Sequence, residues 1–302
     1  MTHVDSYDLA IIVTGALVAG SCGFIGSFLI LRGMALLGDA ISHSVLLGIV
    51  LAFLITGDTS IVPMFVGALI FGLLTAVMVQ ALNRGGVEGD AATGVTFTAF
   101  FALGVVLLTA FAGRVHLDLD HVLYGEIAYV PWDLLYLGDV AVGPKALWTM
   151  GIVFLIDLLV VGAFSKEFKI CSFDPGMAAS LGINVALFHY LMTALVSLTT
   201  VAAFESVGAI LAVAMLIVPG ATAYLLTDSL GRMLGLSVAV GSLSAAGGYL
   251  LATWLDSSIS GAMAATAGAL FLLAFLFSPT HGVISRALAR RRVGHRGESM
   301  LQ

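Results

Sequence analysis

Charged residues are scarce in this chain. Lys, Arg, Asp and Glu together make up 10% of its 302 residues, whereas 60% of the residues are hydrophobic. Soluble domains carry about 25% charged residues, and the mean hydropathy of this chain is +1.10. The composition therefore predicts a polytopic membrane protein surrounded by lipid, with no nucleic acid among its partners.

Motifs for bond-breaking chemistry are also missing. The sequence contains no GxxxxGK[ST] phosphate-binding loop, no HExxH motif and no GxSxG motif within a hydrophobic run. Its two cysteines, Cys22 and Cys171, are too few for a disulfide framework. No hydrophilic block is long enough to form a soluble domain. We therefore expect a chain that is not itself an enzyme, so an ATPase or a ligand-capturing domain, if the function needs one, must be another chain.

Nine hydrophobic runs are long enough to cross a membrane as helices. They predict an all-α polytopic fold of eight or nine transmembrane helices, with eight if one segment is re-entrant. The runs form a single transmembrane domain over residues 1–285, followed by a basic tail over 286–302. Their approximate bounds are 9–31, 39–56, 61–82, 94–112, 145–165, 185–203, 208–227, 233–254 and 259–278.

Basic residues indicate how the helices are oriented, because cytoplasmic loops carry an excess of Lys and Arg. If the N-terminus lies outside, 10 of the 12 Lys and Arg residues fall on the cytoplasmic side, and only Arg114 and Lys145 fall outside. The pattern predicts a multi-pass protein with a cytoplasmic C-terminus. The ten cytoplasmic residues are Arg32, Arg84, Lys166, Lys169, Arg232, Arg286, Arg290, Arg291, Arg292 and Arg296.

The segment LRGMALLGDAISHSVLLG, residues 31–48, places a carboxylate and an imidazole inside a hydrophobic run. Asp39 and His43 are four residues apart, so both would lie on one helix face, where ionisable groups indicate function. Together they suit manganese, iron or zinc. One copy supplies only two ligands, whereas a two-fold homodimer would supply two Asp and two His. In the alternative interpretation, Asp39 caps the helix and His43 bonds a neighbouring helix.

A second group of potential ligands lies in the outside segment 113–144. The run HLDLDHVLYG contains His116, Asp118, Asp120 and His121 close together. The group could receive a divalent cation from outside. In the alternative interpretation, it is a solvated loop whose aspartates cap a helix.

The inside segment 165–184 is predicted to contain a short helix. Asp174-Pro175 is a helix start, with Pro at the first helical position, and Gly182 is a plausible stop. A short helix parallel to the membrane is a surface on which a soluble partner could dock. In the alternative interpretation, it simply links two spans.

Three further ionisable residues, Asp157, His189 and Glu205, lie in or beside hydrophobic runs. We expect each to pair internally with a Ser or Thr. In a different class of protein, an ion-coupled secondary transporter, they would relay protons instead. In the run 208–227, Pro219-Gly220 predicts a kink or an end of the helix, either for gating or as a static feature.

Three stretches resemble one family, the ABC importer permeases for manganese, zinc and iron. LRGMALLGDAISHSVLLG is similar to that family's signature. VGAILAVAMLIVPGATAYLL, residues 207–226, resembles its second signature, although Gly220 stands where Ala usually follows the Pro. FSPTHG, residues 277–282, resembles its C-terminal ending, and the similarity covers about residues 10–285. DLDHVLYGE, residues 118–126, resembles manganese-type members more than zinc-type members.

The resemblance implies a fold like that of the type II ABC importers, with the translocation path between two permeases. Asp39 and His43 match the family's metal-coordinating Asp and His. The family's coupling helix matches about Asp174 to Leu181. The residues expected to contact the ATPase there are Asp174, Pro175, Gly176, Ala179, Leu181 and Gly182.

The resemblance also implies partners and a cargo. The partners would be two copies of a cytoplasmic ATP-binding subunit, an extracytoplasmic metal-binding protein, and a second permease, either an identical copy or a close homologue. The chain would lie in the inner membrane of a prokaryote and hold no permanent cofactor. Mn(II) is the expected cargo, with Zn(II) or Fe(II) as alternatives.

Overall fold

Long apolar helices dominate a computed structural model of the chain, which describes residues 6–57, 61–111, 127–137, 140–278 and 282–283. Within these residues, nine helices are long and apolar enough to cross a membrane. They are α1 (Ser6–Leu31), α2 (Ala35–Thr56), α3 (Ile61–Arg84), α4 (Gly89–Phe111), α5 (Lys145–Ala163), α8 (Val185–Val207), α9 (Ala209–Leu226), α10 (Leu230–Leu255) and α11 (Ile259–Phe277). The prediction of an all-α multi-pass protein is confirmed, in its nine-helix form.

Two short helices and a hairpin connect these spans. Helices α6 (Ser165–Phe173) and α7 (Pro175–Ser180) join α5 to α8. A 3-10 helix (Ile127–Trp132) precedes strands β1 (Leu134–Leu137) and β2 (Val140–Pro144), which pair antiparallel with Leu137 opposite Val140. Apart from α7, the sequence predicted none of these short elements.

Helix α1 lies at the centre of the bundle, where it packs against α5, α8, α9 and α10. Small residues allow these helices to approach closely, as is usual where a hydrophobic driving force between helices is weak. A Cβ on Gly26 would lie 1.7 Å from the Leu216 carbonyl oxygen on α9, and a Cβ on Gly23 would lie 3.2 Å from the Pro219 Cβ. The glycines of α1 therefore set the distance between α1 and α9.

Helices α2, α3 and α4 form a second group that packs against the first group through α8. Helices α2 and α3 cross closely at Gly48 and Gly67, since a Cβ on Gly48 would lie 2.2 Å from the Gly67 carbonyl oxygen. Helix α4 packs mainly on α2. This group carries the Asp39–His43 segment.

The connections divide between two ends of the bundle, because successive spans run in opposite directions. One end, here named the Arg32 end, contains the connections 32–34, 85–88 and 227–229 together with the segment 164–184. Contacts within this end include a hydrogen bond from Arg32 Nε to Ser172 Oγ (3.1 Å). At the opposite end, Tyr7 stacks on Trp132 with ring centroids 6.1 Å apart.

Two helices begin earlier than the hydrophobic pattern predicted. Helix α2 begins at Ala35 instead of about residue 39, and α4 begins at Gly89 instead of about residue 94. The first turn of α4 contains Gly89 and Asp90, which lower its hydropathy average, whereas the first turn of α2 contains Leu36 and Leu37 and its early start has no such explanation. The glycine-rich connection before α4 is therefore only four residues long.

Candidate metal path

Helix α2 places Asp39 and His43 well inside its regular structure. Gly33, with a φ of +67°, turns the chain between α1 and α2, and Met34 occupies the N-cap position without a side-chain cap bond. Asp39 is the fifth helical residue. The alternative in which Asp39 caps the helix is therefore wrong, because the helix has already completed its first turn before the Asp39 carboxylate is reached.

The two side chains lie together on an α2 face that the described residues leave partly exposed. Asp39 Oδ1 and His43 Nε2 are 3.6 Å apart, and the side chains are 38% and 40% exposed. Leu36, which shares this face, is 50% exposed, whereas Ile41, on the opposite side of the helix, is fully buried. A separation of 3.6 Å is too long for a good hydrogen bond, so the carboxylate and imidazole keep free lone pairs for a cation.

Two aromatic rings of α4 hold the His43 imidazole. The Phe97 ring is stacked on it, with centroids 5.5 Å apart and planes 26° apart. The Phe101 ring meets it edge-on, also at 5.5 Å. Such contacts contribute about 0.5–1.5 kcal/mol beyond simple area burial. The sequence alone does not single out these rings, although Phe97 and Phe101 are spaced i,i+4 in one hydrophobic run.

Among the residues that the structure describes, no group of three or more His, Cys, Asp or Glu side chains is placed to hold a metal ion. Asp39 and His43 alone are too few to hold Mn(II) or Zn(II), because these ions take four or more ligands. The other predicted ligands, Asp118, Asp120 and His121, lie outside the described residues.

The predicted coupling helix is α7. Asp174 is its N-cap and accepts a hydrogen bond from Met177 N (2.8 Å), and Pro175 is the first helical residue. Gly182, with a φ of +80°, ends the segment as expected. All six residues predicted for ATPase contact are exposed: Asp174, Pro175, Gly176, Ala179, Leu181 and Gly182.

The coupling segment also presents large apolar side chains to its surroundings. Phe173, Met177 and Leu181 are 57%, 54% and 61% exposed at the Arg32 end, and Ala178 anchors the helix from its buried side. Phe173 ends α6, Met177 lies in α7 and Leu181 follows it, and exposed apolar residues grouped this closely are typical of a protein or membrane interface.

The Pro219-Gly220 pair lies inside α9 and does not end it. Both residues are buried against α1, where a Cβ on Gly220 would lie 2.9 Å from the Ile30 side chain. The pair thus belongs to the tight contact between α1 and α9, away from the face that carries Asp39.

The three other ionisable residues lie far from one another. Asp157 is fully buried and accepts hydrogen bonds from Ser21 Oγ (2.9 Å) and Thr199 Oγ1 (2.8 Å), as predicted. Glu205 instead pairs with Lys145 at 3.1 Å. His189 lies at the Arg32 end, about 24 Å along α8 from Glu205 at 1.5 Å per residue. Among the described contacts, no hydrogen bond or ion pair joins any two of these three side chains.

Comparison with known proteins identifies the family to which the chain belongs. A family model described as the ABC 3 transport family matches residues 6–278. The manganese transport system membrane protein MntD of Bacillus subtilis is 56% identical over 283 residues, which cover 94% of this chain and 96% of MntD. The zinc transport system membrane protein TroD of Treponema pallidum is 44% identical, over 94% of this chain and 77% of TroD.

A solved structure is similar as well. A chain in the structure of PsaBC from Streptococcus pneumoniae in complex with Fab matches with a TM-score of 0.76 and 34% identity, over 95% of this chain and 96% of that chain. Since the family model and these relatives cover nearly the whole sequence, the chain is a multi-pass membrane protein of the ABC 3 transport family.

Proposed function

We propose that this chain is the permease subunit of an ATP-driven importer that moves Mn(II) into the cytoplasm. Family membership and 56% identity to a manganese transport system protein support this function. Zn(II) is the nearest alternative cargo, because TroD is 44% identical and the same two ligand types accept either ion.

The observation that carries the proposal is the half-exposed Asp39–His43 pair on an open face of α2. We place this face on the axis of a permease dimer, where two copies bring together two carboxylates and two imidazoles. A four-ligand set of this kind suits Mn(II) or Zn(II) and contains no thiolate to trap copper(I).

The chemistry of the path follows from the cost of moving a doubly charged ion out of water. Desolvation in a low-dielectric passage is expensive, and Asp39 and His43 offset part of this cost by replacing water ligands. His43 binds the ion as the neutral imidazole. The ion must also leave again, so binding has to stay moderate; a site built from half-exposed side chains meets this requirement.

We assign the Arg32 end to the cytoplasm, because among the described residues it holds Arg32, Arg84, Lys166, Lys169 and Arg232, as the positive-inside rule requires. Two ATP-binding subunits would dock there on α7, and the N-terminus and the hairpin would face an extracytoplasmic metal-binding protein. ATP binding and hydrolysis in the partners would move α7 and switch the path between outward and inward access. The chain would carry no permanent cofactor.

Uptake of radioactive manganese by cells that carry Asp39→Asn or His43→Gln tests the proposal. We expect each variant to assemble in the membrane and to lose at least about tenfold in uptake, since loss of one charged-group contact is worth about 1.5–3 kcal/mol. Glu88→Gln, in the exposed connection before α4, is the matched control and should transport normally. Wild-type uptake by both site variants would contradict the proposal.

A further inference from the structure

A second site lies at the Arg32 end, apart from the Asp39–His43 pair. It is a cavity of about 330 Å³ between the α1–α2 connection, the end of α3 and the first turns of α4 and α8. Its polar lining consists of Arg32, Gln80, Asn83, Asp90, Thr93 and His189. We name it the Arg32 cavity.

The Arg32 guanidinium is held in place but is not neutralised. Its Nε donates to Ser172 Oγ (3.1 Å), and Ser172 in turn donates to the Phe168 carbonyl (2.7 Å). Within the described residues, its Nη2 is buried without a hydrogen-bond partner, and no carboxylate forms an ion pair with it. Burial lowers the pKa of this guanidinium. A half-buried cation with one buried and unpaired N–H group is costly unless an anion meets it.

Other groups around the cavity also favour the binding of an anion. Arg84, the last residue of α3, lies within electrostatic range of His189, as Arg32 does. The first turn of α4, a helix of 23 residues, lines the cavity with Gly89, Asp90 and Thr93. Helix N-termini favour anions through their free N–H groups and the helix dipole. Among the described residues that line the cavity, Asp90 carries the only group of opposite sign, and it is an exposed residue.

The Gln80 side-chain amide can either donate or accept a hydrogen bond. Its Oε1 is also buried without a partner among the described residues. The amide can present its N–H₂ to an anion by rotating 180° about its last bond. Arg binds phosphate best through two parallel N–H bonds of one guanidinium, and the Gln80 amide would add a further donor to the same oxyanion.

We propose that the Arg32 cavity binds a phosphate group, carried either by an anionic phospholipid or by a free phosphate ester. The cavity lies at the ends of four helices, which is the depth expected for lipid headgroups. Its assignment to the cytoplasmic leaflet rests on the proposed function. The bound group would bridge the start of α2, which carries Asp39, to α6, which precedes the coupling helix, because Arg32 contacts both. The site thus makes the link between these elements dependent on an anion.

Native mass spectrometry of the purified full-length permease tests this binding, with phosphatidylglycerol, phosphatidylcholine and glycerol 3-phosphate as separate probes. We expect one saturable site for phosphatidylglycerol, for glycerol 3-phosphate, or for both, and none for phosphatidylcholine. The lipid and the soluble ester distinguish the two sources. Arg32→Gln should weaken binding at least tenfold. Lys166→Gln, an exposed cation at the same end, is the matched control and should bind as the wild type does.

If Arg32→Gln fails to fold, Gln80→Glu provides the second arm, because it adds a negative charge to the same cavity and should also weaken binding at least tenfold. Equal binding of the anionic probes by the wild type and by whichever cavity variant folds would overturn the proposal. So would thermal stabilisation by MnCl₂ alone that Asp90→Asn removes, since the cavity would then be a cation site. The assay requires no transport, so its outcome is independent of the uptake test on Asp39 and His43.

Discussion

The stacked ring of Phe97 gives the account a quantitative test. The change Phe97→Leu keeps an apolar side chain on α4 but removes the ring that lies 5.5 Å from the His43 imidazole. One such contact contributes about 0.5–1.5 kcal/mol. If two copies line the path, the total is about 1–3 kcal/mol. Because about 1.4 kcal/mol corresponds to tenfold in affinity, Mn(II) binding should weaken by at most about 140-fold, the limit reached if the whole contact energy serves to hold His43 in its ligand position.

The assay is a titration of the purified permease with Mn(II), in which electron paramagnetic resonance measures the free ion. Phe100→Leu is the matched control, because Phe100 lies on the same helix but meets the Phe71 ring at 5.8 Å. Both variants lose one aromatic contact, so their thermal stabilities should fall alike, and only Phe97→Leu should lose affinity. If the two variants bind Mn(II) equally, the Phe97 ring does not position the ligand, and the reasoning is refuted.

Three further changes separate packing from transport. Asp157→Asn should keep manganese uptake within about twofold, because its amide oxygen still accepts from the neighbouring hydroxyls; a tenfold loss in correctly inserted protein would point to proton relay. Gly26→Ala should abolish accumulation of the protein in the membrane, since its Cβ would lie 1.7 Å from the Leu216 carbonyl oxygen. Gly94→Ala, whose Cβ would have nothing within 4 Å, should accumulate normally. Equal amounts of the two variants by immunoblot would contradict the packing of α1 on α9. Leu181→Asp should reduce co-purification of the ATP-binding subunit at least tenfold, because an exposed apolar anchor becomes charged; unchanged co-purification would remove α7 as the docking helix.

The spans were predictable because hydrophobic length alone defines them. The lipid core requires about 20 apolar residues per helix, and the nine runs of the sequence correspond to nine helices. The short helix α7 was predictable for a different reason, since Asp174, Pro175 and Gly182 carry local start and stop chemistry. The hairpin also has local punctuation, because Gly138-Asp139 stands between its two strands and is a two-residue turn signal, but a search for long hydrophobic runs does not register it. Helix α6 carries no such punctuation.

The candidate site was only half visible in the sequence. Asp39 and His43 stand out because ionisable groups in a hydrophobic run are rare. Phe97 and Phe101 do not, because aromatic residues are ordinary in a membrane span, and only the packing of α4 on α2 gives them a function. The same holds for Arg32, which reads as a loop cation until the fold encloses it. A residue whose role depends on its neighbours in space, such as Phe97, Phe101 or Arg32, therefore cannot be recognised from the sequence alone.

The central claim is that two copies of the chain contribute His43 to one metal site. Pulsed electron paramagnetic resonance of the Mn(II)-loaded permease tests it most directly, because the modulation of the echo counts imidazole nitrogens bound to the ion. The account predicts two equivalent nitrogens per Mn(II), both lost in His43→Gln, and one ion for every two chains. A site with a single coordinated nitrogen, or one that survives His43→Gln, would contradict it.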